Sequence, residues 1–137
     1  MDRLEALSRS ECLHLLACSS LGRVAFTERA LPAIRPLNYS LVGSHLVLRA
    51  DPDGLGRRLD GQIVAFEVDE IDNNDGSGWS VVVTGAARLL HRPGELMRHD
   101  AMSPVALAGL GHDAQVCIVP GEISGRRIRS PYGALCD

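Results

Sequence analysis

Apolar and polar residues alternate one for one along much of the chain, the period of a strand with one buried face. The stretch from Gln62 to Ile71 shows it most cleanly, with Val64, Phe66 and Val68 on one face and Glu67 and Asp69 on the other. Arg23-Val24-Ala25-Phe26-Thr27 reads as a short strand, Leu31 to Tyr39 as its hairpin partner and His45 to Arg49 as a third strand. Turns are expected at Glu28-Arg29-Ala30 and Val42-Gly43-Ser44. Three antiparallel strands in a row form a meander. Trp79 to Leu90 predicts a long strand covered on both faces, with Gly85 permitting a bend or close approach. The last strand is expected from about Gln115 to Ile123, broken or bulged near Pro120-Gly121, with Ser124-Gly125-Arg126-Arg127-Ile128-Arg129 following as a tail.

Helical period is rarer. Ser8-Arg9-Ser10-Glu11 has the form of a capping box, and a helix from about Arg9 to Cys18 should follow it. Cys12, Leu13, Leu15 and Leu16 gather on the face that docks, while His14 and Cys18 lie together on the other. Pro93 to Asp100 and Ser103 to Gly109 predict a helical insertion before the last strand. Residues 50–61 read as a glycine-rich loop with room for one helical turn. In Asp72 to Gly78, placing Gly78 at the sixth position of a calcium loop leaves Thr84 where a bidentate glutamate is needed, so this stretch is a long hairpin loop. The fold expected is mainly β: a six-stranded antiparallel barrel with an N-terminal helix and a helical insertion before the last strand. At 137 residues, residues 1–137 are taken as a single domain.

The strand from Leu31 to Tyr39 carries the first hint of chemistry. Proline removes a ladder donor, so Pro36 belongs at an edge, at a bulge, or where the strand faces something other than a strand. Ala33, Arg35, Leu37 and Tyr39 share one side of it, a mixture of cation, aromatic and apolar surface suited to a flat anionic ligand.

Composition narrows the classes. All 14 basic residues are arginine, against 17 acids, and the net charge of -3 gives no reason to expect a nucleic-acid surface. With five aromatic residues the core must be aliphatic. No stretch approaches the roughly 20 apolar residues of a membrane span, and Met1 to Glu5 lacks a signal peptide's basic start, so a cytoplasmic protein is expected. Four cysteines without paired spacing are read as free thiols, and His91, His99 and His112 as solvated. No catalytic triad, carboxylate pair or metal cluster stands out.

Five pieces in order carry a resemblance: the helix leading into Gly22-Arg23-Val24-Ala25-Phe26, Pro32 to Tyr39, Val64-Ala65-Phe66-Glu67-Val68-Asp69, Gly78-Trp79-Ser80-Val81, and Gly125-Arg126-Arg127-Ile128. From about Leu7 to Ile128 the chain resembles the flavin-binding split barrels related to pyridoxamine 5'-phosphate oxidase, especially their short, nitroimidazole-reductase-like branch. The resemblance implies a homodimer with flavin mononucleotide (FMN) in a groove at the interface. Arg35, Pro36, Leu37 and Asn38 would then line the flavin ring, Arg49 and Ala50 with Arg57 or Arg58 would meet the phosphate, Trp79 and Ser80 would close the other flank, and Arg126 and Arg127 would face an entering substrate. Relatives usually carry a hydroxyl residue at the position of Ala50 and a lysine in the loop holding Gly56-Arg57-Arg58; arginine can bind phosphate bidentately in lysine's place. The implied activity is hydride transfer to or from a small molecule, with the cofactor doing the chemistry. The same resemblance leaves open the deazaflavin coenzyme F420, haem held by His45 or His112, and a barrel that binds a cofactor without catalysis or pairs without one.

Overall fold

The computed structural model describes residues 4–51, 54–90 and 114–130. In chain order the elements are β1 (Leu4–Ala6), α1 (Arg9–Ala17), β2 (Leu21–Glu28), β3 (Leu31–Val42), β4 (His45–Ala50), α2 (Leu55–Leu59), β5 (Ile63–Ile71), β6 (Gly78–Leu90) and β7 (Ala114–Ile128). Backbone pairing runs β7-β4-β3-β2-β5-β6 and returns to β7, closing a six-stranded antiparallel barrel, with β1 added to the edge of β7.

The expected alternation builds the core. Val24 and Phe26 of β2, Val64, Phe66 and Val68 of β5, and Val81 and Val83 of β6 all turn inward and are buried. The Tyr39 ring meets Phe66 edge-on, with centroids 5.2 Å apart. Gly22 leaves the room Phe66 needs, since a Cβ there would stand 2.5 Å from the ring. Helix α1 covers one end of the barrel with Cys12 and Leu16, and its Ser8–Glu11 capping box forms as the sequence predicts. Leu55 and Leu59 of α2 join the same core.

Three features depart from the sequence reading. Residues 124–128 are not a tail but the second half of β7, held between β6 and β1. The segment packs hard against α1: a Cβ on Gly125 would come within 2.5 Å of the Cys12 sulfur. Near Pro120-Gly121, where a break or a bulge is expected, the strand bulges opposite Thr84 and Gly85, then bends and continues. Strand β1 was unforeseen because its three residues are all exposed and carry no alternation. Strand β6 is buried on its inner face only; outside, Ser80, Val82 and Thr84 are half-buried and Ala86 and Arg88 exposed, because a closed barrel has one interior. The predicted helical insertion at 93–109 lies outside the described residues.

Two hairpins set the phase of β3. The turn between β2 and β3 puts Arg29 and Ala30 at φ 52° and 65°. It is a two-residue turn of the mirror-image kind that usually takes Asn-Gly. Strand β3 pairs β2 through Leu31–Asn38 and passes to β4 at Tyr39–Val42. Among the described residues its first half therefore has a free edge, where the barrel is split.

Candidate functional site

That free edge explains the prolines. In a two-residue hairpin the closing pair exchanges both backbone bonds, and every second pair beyond it does the same. With Glu28 opposite Leu31, residues Leu31, Ala33, Arg35 and Leu37 direct their amides and carbonyls at β2. The bond from the Tyr39 amide to the Ser20 carbonyl, 2.9 Å, keeps the same phase. Pro32 and Pro36 thus occupy positions whose N–H would point away from β2, and they break no bond of the ladder. Between residues 32 and 36 the open edge offers three carbonyls and one amide, that of Ile34.

The side chains divide by face. Pro36, Asn38 and Arg49 project from the outside of the barrel, because their neighbours Leu37, Tyr39, Leu48 and Ala50 turn inward. Ser80 lies on that outer face too, opposite Asp69 on β5 and Arg126 on β7. Arg35 and Leu37 fall on the inner side, opposite Val24 and Gly22, with Arg35 still exposed at the split. Trp79 is buried in the core, opposite Arg127. Neighbouring residues of a strand point oppositely, so Trp79 parts from Ser80 and Arg127 from Arg126. Arg127 instead lines a cleft against α1 with Ser10, Glu11, His14 and Leu15.

Of the residues assigned to a phosphate, Arg49 has the most telling surroundings. Its Nε is buried and has no hydrogen-bond partner among the described residues. A buried donor left unsatisfied costs about 1–3 kcal/mol, so the position suits an incoming acceptor. Ala50 is 4% exposed with its methyl in the core, and only its backbone can face outward. Arg58 is engaged by Glu28 in an ion pair, and its carbonyl accepts from Gln62 at 2.7 Å. Arg57, on the same short helix, is exposed. The loop's Asp51 stands next to Arg49 and Ala50, and its carbonyl accepts from the Gly56 amide at 2.8 Å.

A charged cluster on the outer face was missed from the sequence. Arg23 Nη1 donates to Glu67 Oε1 and to Asp69 Oδ2, both at 3.0 Å. Alternation does put Glu67 and Asp69 on one face, but only the β2–β5 pairing, which sets Arg23 opposite Glu67, brings the guanidinium to them. Partial burial, and then the adjacent Asp69, push the Glu67 carboxyl up to about 7, with Arg23 opposing. Row by row this face reads Pro36, Arg23, Glu67, Val82, Ser124 and then Ile34, Ala25, Ala65, Thr84, Glu122. The second row is largely apolar. Ile34 is 64% exposed, Ile63 beside the row is 69% exposed, and a shallow depression of about 420 Å³ lies among Ala25, Thr27, Pro32, Ile63, Ala65 and Thr84.

No group of His, Cys, Asp and Glu that could hold a metal occurs among the described residues. His45 is half-buried at the start of β4, and His112 lies outside the described residues. Cys12 and Cys18 are free thiols. His14 and Cys18 do share one face of α1, 3.9 Å from Nε2 to Sγ, with Cys12 buried on the other. No helix among the described residues is long and apolar enough to cross a membrane.

Known proteins share this barrel. A profile of the pyridoxamine 5'-phosphate oxidase family matches residues 8–127. An uncharacterised protein of Mycobacterium tuberculosis is 34% identical over 134 residues, which cover 89% of this chain and 84% of that one. Among solved structures, an FAD-binding protein from Mycobacterium smegmatis superposes with a TM-score of 0.69 at 28% identity, over 92% of this chain and 99% of that one. A putative pyridoxamine 5'-phosphate oxidase from Corynebacterium glutamicum has the same TM-score at 26% identity, over 95% and 97%. The helix, the split strand, the hairpin into Trp79 and the Gly-Arg-Arg strand all lie inside the matched span, and the chain belongs to the pyridoxamine 5'-phosphate oxidase-like split-barrel family.

Proposed function

We propose that this barrel binds a flavin nucleotide, FMN or the FMN half of FAD, and acts as an oxidoreductase that moves hydride to or from a small molecule. The observation that carries the reading is Arg49: a buried guanidinium Nε with no hydrogen-bond partner among the described residues, on the outer face beside the open edge of β3. A phosphate is the acceptor such a group suits, since a charge-assisted bond satisfies the donor and neutralises the cation together. The edge suits the other end of the ligand. A flavin's pyrimidine ring carries an imide N–H between two carbonyls; a carbonyl of Pro32, Ile34 or Pro36 can accept from that N–H, and the Ile34 amide can donate to one of the flavin carbonyls. Likeness to the FAD-binding protein of Mycobacterium smegmatis supports a flavin over an unrelated anion.

A bound flavin supplies the two-electron chemistry, which requires no acid or base from the protein. The chain's own part is to bind and orient. Arg49, joined by Arg57 from α2, holds the phosphate; Pro36 and Asn38 flank the ring; Ser80 and Arg126 stand farther round the same face, where Arg126 can hold an anionic substrate.

The outer face completes the site by pairing with a second copy of the chain. An isologous contact needs projection and recess on one surface, and Ile34 stands directly beside the depression around Ala25 and Ala65. Titrating the chain with FMN, FAD and coenzyme F420, following ligand fluorescence, tests the reading. Saturable binding of a flavin at one per chain, weakened about 10- to 100-fold by Arg49→Ala, is expected from a lost charge-assisted bond of about 1.5–3 kcal/mol. Binding of F420 alone would move the assignment to a deazaflavin reductase.

A further inference from the structure

We propose that the Arg23–Glu67–Asp69 cluster links self-association to protons, so that two copies of this chain hold each other more tightly as pH falls through neutrality. The inference rests on the homodimer reading above and adds its regulation.

The geometry is the starting point. One guanidinium nitrogen, Arg23 Nη1, serves two carboxylates at 3.0 Å each, so the cluster carries a net charge of about -1 when both acids are ionised. It sits in the row next to the apolar one, and its neighbours are mostly uncharged. Pro36 faces it from β3, Ala25 and Leu21 flank Arg23 along β2, and Val82 and Ser80 stand opposite the two acids on β6. Beyond them on β7 lie Ser124 and Arg126. Arg126 is two strands from Asp69, roughly 10 Å at the usual strand spacing. Glu70, exposed, lines the groove that Arg23 and Asp69 share with Ser19 and Ser20. Among the described residues Arg126 is the further cation of these rows, and at that distance it screens the excess negative charge without pairing with it.

Covering the face strips water from the cluster. Removing water from a net charge is costly, whereas an assembly of one cation, one carboxylate and one carboxylic acid is neutral and can keep its hydrogen bonds. The neutral form needs one proton shared between Glu67 and Asp69. The free chain is already close to that state, since burial and Asp69 raise the Glu67 carboxyl toward neutrality. Association therefore takes up protons, as many as one per chain. By linkage the dimer's dissociation constant then rises with pH, by up to roughly 100-fold per unit where both clusters change state, and levels off at low pH where both are already protonated.

Sedimentation of the full chain from pH 5.5 to 8.5 at fixed ionic strength tests this, with Glu67→Gln and Ile34→Arg as variants. The wild-type dissociation constant is expected to rise at least tenfold between pH 6 and pH 8. Glu67→Gln keeps a neutral hydrogen-bonding group, and its constant should stay flat near the wild-type low-pH value. Ile34→Arg should be monomeric at every pH. A wild-type dimer of constant strength, or one that never dissociates at any pH, overturns the proton linkage and leaves the homodimer reading standing. A wild-type chain monomeric throughout overturns both. A dimer unaffected by Ile34→Arg puts the contact on another face and overturns the inference as well.

Discussion

The Tyr39 hydroxyl donates a 2.6 Å hydrogen bond to the Leu16 carbonyl, and through it the split strand β3 is fastened to helix α1. The bond is buried, and the phenol is pushed up to about 12 by that burial, so it stays a donor at any physiological pH. Tyr39→Phe leaves the Leu16 carbonyl only the longer bond from the Ser19 amide, 3.4 Å. A loss of about 0.5–1.5 kcal/mol is expected, read as a lower urea midpoint with an unchanged slope. An unchanged midpoint would show that the helix is held by its apolar face alone.

The turn at Arg29-Ala30 works against its own residues. Both have positive φ, and left-handed backbone costs a residue with a Cβ about 1 kcal/mol or more. Replacing the pair by Asn-Gly should stabilise the protein by about 1 kcal/mol, a gain of several degrees in melting temperature. A lower melting temperature would mean that the Arg29 side chain contributes more than the strain it tolerates.

Gly22 stands under Phe66 and beside the β5 backbone. A Cβ at this position would approach two ring atoms at 2.5 and 2.6 Å and the Glu67 carbonyl oxygen at 2.7 Å. The ring can turn slightly; the carbonyl is part of the sheet. Gly22→Ala should therefore cost about 3 kcal/mol or more in a chemical-denaturation experiment, and a loss below about 1 kcal/mol would show that β2 and β5 can separate locally.

Stability should also depend on pH through Glu67. Its carboxyl titrates higher in the folded chain than in the unfolded one, from 4.5 to about 7. The folded state therefore binds the proton more strongly. This contribution is present in full below about pH 4.5 and is lost as pH rises through about 7. Urea midpoints of wild type and Glu67→Gln, measured at dilutions where the chain is monomeric, should diverge over this window, the wild type falling more steeply. Parallel curves would show that Arg23 holds both carboxylates ionised.

What the sequence discloses follows from which signals are local. Alternation in β2, β5 and β6 is enough to find those strands and their buried residues, because each side chain's fate there depends on its own position. The capping box at Ser8 and Glu11 is equally local. The second half of β7 escapes because Gly125, Arg126 and Arg127 owe their strand state to β6 and α1, not to any pattern of their own. The same holds for the site. Pro36 signals a free edge by its chemistry, and the hairpin phase then explains it. That Trp79 and Ser80, or Arg126 and Arg127, lie on opposite faces follows from strand geometry once both pairs are known to be in strands. The Arg23 cluster requires partners 44 and 46 residues apart in sequence, which no local pattern reveals.

If Arg49 marks a phosphate subsite on a flavin-binding groove, as proposed, removing its guanidinium should weaken flavin binding. Fluorescence titration of the wild-type chain and of Arg49→Ala with FMN, at constant salt and with inorganic phosphate as competitor, tests it most directly. The expected result is saturable wild-type binding at one flavin per chain, eased by phosphate, and an Arg49→Ala affinity lower by about 10- to 100-fold. Equal affinities in the two proteins, or no binding of FMN, FAD or F420 at all, would contradict it.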